Sequence, residues 1–311
     1  MLLAITSPCA HSHKHMVPQT KMLRRQQRRI FSLRRIAHHL RGYRISDAKV
    51  EMLHVADDIV QFGVFTGGGL KAWIDAMPLL GFNFTGSLYG FDSFSGMPHE
   101  NGSLLLRHHK KDPAWAKGGL DAAALMGNPD WTTLNDLIVA NIGYPRAKTH
   151  LIKGFFSDTL RSGPETARRL GMRPAFLVDI DCDLFTSTTQ ALSFVLGSGI
   201  LRPGSFVYYD DLSEYDRKEH ARVVHLNEEN LAHHNISAAW GLRWRTLPTL
   251  GKYPGPIGVK PSSGRGRSAT GPLAWIEQFP ASHTGRWVPP ERYPAVLQLL
   301  SCERCTSSGT T

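Results

Sequence analysis

The sequence has few cysteines, no long hydrophobic run, and no acidic residue in its first 46 positions. Four scattered cysteines are too few for a disulfide framework, so we expect a reducing compartment. One CxxC pair, Cys302 and Cys305, has neither a second pair nor a neighbouring His and is weak evidence for zinc. No apolar run reaches the roughly 18 residues that a membrane span requires. The absences therefore exclude a disulfide scaffold and predict no transmembrane segment.

The missing acids concentrate the positive charge of the chain in one segment. Residues 1–46 contain two lysines and eight arginines, and therefore carry the whole net charge of +10. Of the 36 Lys and Arg residues, the other 26 balance the 26 acidic residues of the remaining chain. A neutral body argues against a domain that binds nucleic acid.

Within this basic segment, residues 22–43 have apolar residues at helical spacing, with arginine pairs around them. Three interpretations remain open for this amphipathic helix. It packs on the domain, it is part of an organelle transit peptide, or it contacts a membrane or an acidic partner. We expect a cytoplasmic protein, or an organelle protein if residues 1–46 are a transit peptide.

The rest of the chain alternates predicted strands with predicted helices. Five strands are followed by a final pair: DDIVQF, GSLYGFDSF, THLIKGFF, AFLVDID, GSFVYYDD, then ISAAWGLRWRTL and GPIGVK. This order predicts an α/β fold, with a doubly wound and mostly parallel sheet. We divide the chain into a basic, partly helical extension (1–46), the domain (47–260) and a flexible tail (261–311). In that tail, AVLQLL is predicted to form a helical turn or two.

Two motifs predict a nucleoside site at the ends of the first two strands. The glycine-rich turn VQFGVFTGGGL, residues 60–70, allows close approach of a ligand to the backbone, but it lacks the GxGxxG spacing of a dinucleotide site. Asp92 ends the second strand, where a carboxylate can accept both hydroxyls of a ribose; the alternative is a solvated or helix-capping Asp. Together they indicate a nucleoside without two phosphates, which S-adenosylmethionine satisfies.

A third motif, KGFFSDTL at residues 153–160, follows the third strand and suits contacts to an adenine ring. Its candidates are Phe155, Phe156, Ser157 and Asp158. An equally good alternative is a helix start capped by Ser157 or Asp158.

Acidic residues end the fourth and fifth predicted strands. FLVDIDCDLFTST places aspartates at 179, 181 and 183, and FVYYDD ends in Asp210 and Asp211. Unpaired carboxylates are costly to bury, and clustering adds repulsion. These strands are neighbours in such a sheet, so their carboxylates can converge on one cation. Carboxylate oxygens are hard ligands, which suit Mg²⁺.

The motifs together resemble the macrocin-type O-methyltransferases over roughly residues 50–260. The matching segments are QFGVFTGGGL, YGFDSFSGMP, KGFFSDTL, VDIDCDLFTST and LRPGSFVYYDD. The resemblance implies a class I methyltransferase fold with a seven-stranded Rossmann-like sheet. It also implies S-adenosylmethionine and Mg²⁺ as cofactors, and a hydroxyl of a sugar or another diol-containing natural product as acceptor.

The resemblance also assigns roles to residues. Asp183 would be the general base, and Asp181, Asp210 and Asp211 would hold the metal. The cofactor-binding candidates are Gln61, Gly63, Thr66, Gly67, Gly68, Asp92, Ser93, Phe156, Ser157, Asp158 and Asp179. Two departures stand out. Gln61 replaces an acid that is usual in the family. VDIDCDLF is also similar to the motif of catechol and caffeoyl-CoA type methyltransferases, whose first Asp binds metal, so Asp179 is the second candidate after Asp181; positions 179, 181 and 183 share one strand face, and alternation does not choose between them.

Other functions remain to be discriminated. DID and DCD are DxD triplets of the kind that hold Mn²⁺ and a sugar diphosphate in glycosyltransferases, and binding of UDP would favour that class. Salt-sensitive RNA binding that is lost on deletion of residues 1–46 would favour a nucleic-acid-binding protein. The methyl acceptor is expected to be a small molecule, and a homo-oligomer is one alternative for the assembly.

Overall fold

The computed structural model describes residues 19–42, 52–99, 116–213, 228–247 and 294–305. Nine strands are assigned in this part of the chain: β1 Leu53–Val55, β2 Asp58–Phe62, β3 Phe82–Phe84, β4 Leu88–Asp92, β5 Thr149–Lys153, β6 Ala175–Ile180, β7 Phe206–Ser213, β8 Leu242–Thr246 and β9 Pro294–Cys302. Eight α-helices accompany them: α1 Gln19–Leu40, α2 Gly68–Leu79, α3 Ala122–Leu125, α4 Trp131–Ile142, α5 Phe156–Thr159, α6 Pro164–Arg169, α7 Phe185–Gly197 and α8 Glu228–Trp240.

Seven of these described strands form the main sheet, in the order β5-β4-β2-β6-β7-β9-β8. The pairs among β5, β4, β2, β6 and β7 are parallel, and only β9 runs antiparallel to its two neighbours. A separate two-stranded parallel sheet joins β1 and β3. The predicted mixed α/β fold with a mostly parallel seven-stranded sheet is confirmed, and the five motif-bearing strands fall where the sequence predicted them.

The sheet is buried on both faces because each parallel strand carries apolar residues at consecutive positions. On one face, Val60 and Val178 belong to a core that α7 and α8 cover. On the other, Ile59 and Leu177 belong to a core covered by α1, α2 and α4. Alternation along a strand therefore assigns every second residue of β2 and β6 to the face that carries α1.

Helix α1 packs on the domain, as one of the three interpretations of the basic segment predicted. Leu33, Ile36 and Ala37 are buried in the core beside α2, whereas Leu40 is largely exposed. Arg41 follows the helix and donates to the carbonyl of Leu80 at 2.9 Å, which connects the end of α1 to the end of α2. No described helix is long and apolar enough to cross a membrane.

The last strands differ from the prediction. Residues 236–240 are helical rather than extended, so only the second half of ISAAWGLRWRTL forms β8. GPIGVK lies outside the described residues. The partner of β8 is β9, so the helical turn predicted for AVLQLL is wrong, and the sheet takes in residues beyond the predicted boundary at 260. Periodicity could not separate the two structures, since a short apolar run fits either.

The CxxC pair at the end of β9 forms a disulfide between Cys302 and Cys305 rather than half of a zinc site. The cysteine count predicted a reducing compartment and gave no indication of this local bond, which is a feature more usual in oxidising compartments. Cys182 is a free thiol, and burial raises its pKa well above the usual range.

Candidate functional site

The candidate residues lie along one edge of the sheet, where β5, β4, β2, β6 and β7 end side by side. Asp92 pairs in register with Lys153, and Gln61 pairs with Asp179. Open α/β sheets bind ligands outside these carboxyl ends. The motifs read separately along the chain are therefore adjacent in space.

The glycine loop after β2 touches the acidic loop after β6. A Cβ on Gly63 would lie 1.8 Å from the carbonyl oxygen of Asp181, so the loops approach this closely only because residue 63 has no side chain. Gly67 has a left-handed φ of 85° and is the N-cap of α2. Because glycine has no side chain, no capping group accepts hydrogen bonds from the first amides of α2. Those amides are therefore suited to bind an anionic group of a ligand.

Gln61 lies beneath this loop on the side of the sheet that carries α1. It is 1 % exposed, and its Oε1 has no hydrogen-bond partner among the described residues. A Cβ on Gly69 would lie 2.4 Å from Nε2 of Gln61, so the first turn of α2 rests directly on the amide. A buried acceptor of this kind fits a donor group on a cofactor.

Asp92 fastens the glycine loop by main-chain hydrogen bonds. Its Oδ2 accepts from the amides of Val64 at 2.7 Å and Phe65 at 2.9 Å, and its Oδ1 accepts from the amide of Phe94 at 2.6 Å. Burial raises the pKa of Asp92, and these amides oppose the shift. The hydroxyl of Ser93 approaches Oδ1 only at 3.5 Å and donates to the carbonyl of Gly96 instead. Since each carboxylate oxygen has two acceptor positions, Oδ1 is the atom with room for a ribose hydroxyl.

Other cofactor-binding candidates make hydrogen bonds that stabilise the loops at this edge. The hydroxyl of Ser93 donates to the carbonyl of Gly96 at 2.6 Å, and the carbonyl of Thr66 accepts from the side chain of Asn141 at 2.8 Å. Gly68 is the first residue of α2. These contacts hold the two loops in shape and leave the predicted cofactor contacts as predictions.

The segment after β5 forms the short helix α5. Its N-cap is Phe155, without a side-chain capping bond, so the alternative that Ser157 or Asp158 caps the helix is wrong. Phe156 is buried and packs edge-on against Phe62 at the end of β2, with ring centroids 5.6 Å apart. Ser157 and Asp158 are exposed on the outer side of the turn. The predicted adenine contact stays a prediction.

Asp179 is paired with an arginine that the sequence did not single out. Arg29 of α1 donates from Nε to Oδ2 of Asp179 at 2.8 Å and from Nη2 to Oδ1 at 3.2 Å. Trp73 of α2 donates from its indole to Oδ2 at 2.7 Å. Burial raises the pKa of Asp179, and the charge and hydrogen bonds of Arg29 oppose that shift by stabilising the carboxylate.

The same guanidinium reaches two further acids. Nη2 of Arg29 lies 2.7 Å from Oδ2 of Asp181, and Nη1 lies 3.6 Å from Oδ1 of Asp210. The Tyr208 hydroxyl donates to Oδ1 of Asp210 at 2.8 Å, and its ring lies 5.0 Å from the guanidinium carbon. Arg28 adds a longer ion pair of 4.0 Å to Asp210. The acids of strands β6 and β7 thus converge on one buried arginine.

Asp183, the predicted base, lies in the loop that follows β6. Its backbone has a left-handed φ of 60°, which is uncommon for a residue with a side chain. The amide of Asp183 donates to Oε1 of buried Glu229 at 3.2 Å, and the amide of Phe185 donates to Oε2 of Glu228 at 2.9 Å. Both glutamates begin α8, which therefore fixes the backbone of this loop.

Behind that loop, α8 also contacts the end of β7. Nδ1 of His233 lies 2.9 Å from the hydroxyl of Tyr209, and both groups are buried. Burial lowers the pKa of His233 to about 3, so the ring is neutral at physiological pH. The ring of Trp244 packs against this imidazole, and its indole donates to the hydroxyl of Ser237, so Trp244 is a packing residue behind the loop.

Sequence reasoning missed the residues that reach this edge from other elements: Arg29, Trp73, Glu228, Glu229 and His233. A signal for Arg29 was present, since it precedes Leu33 and Ile36 by four and seven positions and so shares their buried face. His108, His109, His220 and His225 are alternative candidates for the base, since imidazole commonly acts as one, and they lie outside the described residues.

The described residues fit the two implied cofactors unequally. The glycine loop, the Oε1 of Gln61 and the Oδ1 of Asp92 provide the cradle and acceptors that S-adenosylmethionine requires. Among the described side chains, no group of three or more His, Cys, Asp or Glu residues is arranged to hold a metal ion. Mg²⁺ does not fit between Asp181 and Asp210 while Arg29 lies there, and the side chain of Asp211 is outside the description.

Residues 37–245 match the sequence profile of the macrocin O-methyltransferase (TylF) family. No curated protein matches the chain in sequence. Similar solved structures include the O-methyltransferase NovP, with 16 % identity over 73 % of this chain and 75 % of that chain at a TM-score of 0.43. Another is the calicheamicin methyltransferase CalS11, with 18 % identity over 74 % and 76 % at a TM-score of 0.42.

Proposed function

Because this chain belongs to the macrocin O-methyltransferase family and is an S-adenosylmethionine-dependent O-methyltransferase, we propose that it methylates a hydroxyl of a sugar or another diol-containing small molecule. The resemblance of its motifs to enzymes that methylate sugar hydroxyls supports this acceptor class. The observation that carries the proposal is the contact between Gly63 and the carbonyl of Asp181, which holds the cofactor loop against the acidic loop. Donor and base are then on adjacent loops.

The residues of the acidic loop supply what the methyl donor does not. S-adenosylmethionine provides a methyl group that its sulfonium charge already activates. A sugar hydroxyl is almost fully protonated at neutral pH, so the chain must remove its proton. Asp183 accepts that proton while the hydroxyl oxygen attacks the methyl carbon and the carbon–sulfur bond breaks. The products are a methyl ether, S-adenosylhomocysteine and protonated Asp183, which returns its proton to water.

The other residues at this edge bind the cofactor and orient the base. Oδ1 of Asp92 accepts a hydrogen bond from a ribose hydroxyl. The buried Oε1 of Gln61 accepts a hydrogen bond from a donor group of the cofactor. Phe156, Ser157 and Asp158 border the adenine. Glu229 fixes the loop that carries Asp183, so the base does not need to be ordered when the acceptor arrives.

The Mg²⁺ dependence predicted from the sequence is a separate part of this proposal. Asp181, Asp210 and Asp211 are carboxylates, which are suitable ligands for Mg²⁺. Asp179 is less suitable, since both of its oxygens already accept from Arg29 and Trp73. No step above uses a metal, because Arg29 lies among the acids.

The test is calorimetric titration of S-adenosylmethionine and S-adenosylhomocysteine, with and without Mg²⁺, followed by a methyl-transfer assay on a panel of sugars and catechols. We expect both cofactors to bind and a sugar or another diol to be methylated. UDP is the matched control ligand. Binding of UDP without binding of either cofactor would contradict the proposal and favour a glycosyltransferase.

The docking of α1 bears on the predicted location of the protein. The cytoplasmic location inferred from the cysteine content stays a prediction, and the packing of Leu33 and Ile36 in the core supports it over a cleaved transit peptide. Removal of α1 would expose those side chains and the surface of α2. Mass spectrometry of the N-terminus of the native protein tests the point, and a mature chain that begins after residue 42 would contradict it.

A further inference from the structure

The cation among the acids is a side chain of the protein itself. Arg29 is 1 % exposed and contacts carboxylates of Asp179, Asp181 and Asp210, which lie at the ends of two adjacent strands. The sequence predicted a divalent cation between Asp181 and Asp210. The guanidinium lies in that position.

The anchoring of α1 keeps the guanidinium there. Leu33 and Ile36, one and two turns further along the helix, are fully buried against the core. Arg41 bonds the carbonyl of Leu80 at the far end. Arg29 therefore occupies the acids for as long as α1 is docked.

A metal ion and this guanidinium exclude each other. A divalent cation that binds Asp181 needs an oxygen within roughly 2.0–2.1 Å for Mg²⁺, and Nη2 of Arg29 is 2.7 Å from Oδ2 of the same carboxylate. Like charges at such separations repel strongly where water is excluded. Asp179 differs from the other two acids, because its bidentate pair with Arg29 and its bond to Trp73 leave it as the permanent counterion.

We propose that Arg29 competes with divalent cations for Asp181 and Asp210, and so determines whether this methyltransferase site holds a metal. The inference uses the same acid cluster as the proposed function, but it does not depend on methyl transfer. It makes α1 a part of the site, although the sequence separates α1 from the acids by about 150 residues.

The test measures Mn²⁺ binding by electron paramagnetic resonance, in the full chain without cofactor or acceptor. The variant Arg29→Met with Asp179→Asn removes the buried Arg29–Asp179 ion pair as a unit. It leaves the carboxylates of Asp181 and Asp210 without Arg29, so that an added cation can bind them. We expect this double variant to bind Mn²⁺ at least tenfold more tightly than the wild type. Adding Asp210→Asn should abolish the gain. Circular dichroism checks that each variant is folded.

The single variant Asp179→Asn is the matched control, because it removes the counterion and keeps Arg29 for Asp181. It should bind Mn²⁺ no more tightly than the wild type. Equal Mn²⁺ affinity in the wild type and the folded double variant, or no binding in either, would overturn the inference. Failure of the proposed function is separate, since it would appear as absent cofactor binding in calorimetry.

A second readout follows α1 directly. If Mn²⁺ displaces Arg29 in the wild type, amide hydrogen exchange in residues 26–40 should accelerate at saturating Mn²⁺. In the double variant, the same residues should exchange at one rate with and without the ion. Tight Mn²⁺ binding by the wild type with unchanged exchange in α1 would contradict the competition.

Discussion

The edge of the sheet where β5, β4, β2, β6 and β7 end has two halves, and the carboxylates of each half are stabilised by different donors. In the cofactor half, at the ends of β2, β4 and β5, Asp92 accepts from backbone amides of its own and the neighbouring loop. In the acid half, at the ends of β6 and β7, Asp179 and Asp181 accept from Arg29, which belongs to a separate helix. Backbone donors come with the loop, whereas the guanidinium depends on the docking of α1. The acid half is therefore the half that can change its counterion.

The largest expected effect is on turnover, and it should leave cofactor binding unchanged. Asp183→Asn removes the proposed proton acceptor, and we expect turnover to fall by about 10²–10⁴-fold, the usual contribution of a general base. Affinity for S-adenosylmethionine should stay unchanged, because the cofactor half is untouched. Single-turnover methyl transfer and calorimetry check the two parts. The exposed Asp136→Asn is the control, and wild-type turnover in Asp183→Asn would exclude this residue as the base.

Lowering the pH should reduce the stability of the folded chain, because His233 is buried behind the acid half as a neutral ring. The native ring has a pKa of about 3, and it titrates near 6.5 in an unfolded chain. The stability present above pH 6.5 is therefore lost as the pH falls, since only the unfolded chain binds the proton. At pH 4.5 we expect a loss of roughly 2–3 kcal/mol, at 1.36 kcal/mol per pH unit.

Urea unfolding at several pH values measures this loss. His233→Gln keeps a hydrogen-bonding group for Tyr209 and removes the titrating ring, so its stability should depend less on pH between 6.5 and 4.5. Parallel curves for the wild type and the variant would show that other groups cause the acid sensitivity.

The cofactor half should respond to Asp92→Asn. An amide keeps one acceptor oxygen and turns an NH₂ group towards backbone amides, so either Phe94 or the pair Val64 and Phe65 loses its acceptor. We expect a loss of about 1–3 kcal/mol of stability and weaker binding of S-adenosylmethionine. Urea unfolding and calorimetry measure the two effects. Asp130→Asn, at the exposed cap of α4, is the control and should leave cofactor affinity unchanged.

The smallest effect concerns the support of the base. Glu229→Ala removes the acceptor for the amide of Asp183, and we expect kcat to fall about tenfold, or about 1.4 kcal/mol, with little change in KM. Glu229→Gln keeps an acceptor oxygen and should restore most of kcat. Glu228→Ala is the matched variant, since it releases Phe185 instead. Equal kcat in the Ala and Gln variants of Glu229 would show that this hydrogen bond does not position the base.

Much of the fold and part of the site could be predicted from local patterns. The five motif-bearing strands were recognised because continuous apolar runs alternate with helical segments, and the two acidic strands proved to be neighbours. AVLQLL was assigned to a helix because a run of six mostly apolar residues fits the periodicity of a helix and that of a strand equally well. Its place as β9 is fixed by pairing with β7 and β8, which lie far away in the chain.

The sequence by itself determined the α/β class, the strand ends that carry acids, and the family to which the chain belongs. These depend on local periodicity and on short motifs, which a linear reading contains. Only the tertiary structure decided which cation meets the acids, because the docking of α1 brings Arg29 to Asp179 across about 150 residues. A buried carboxylate requires a counterion, but nothing in its neighbouring residues says where along the chain that counterion will be found.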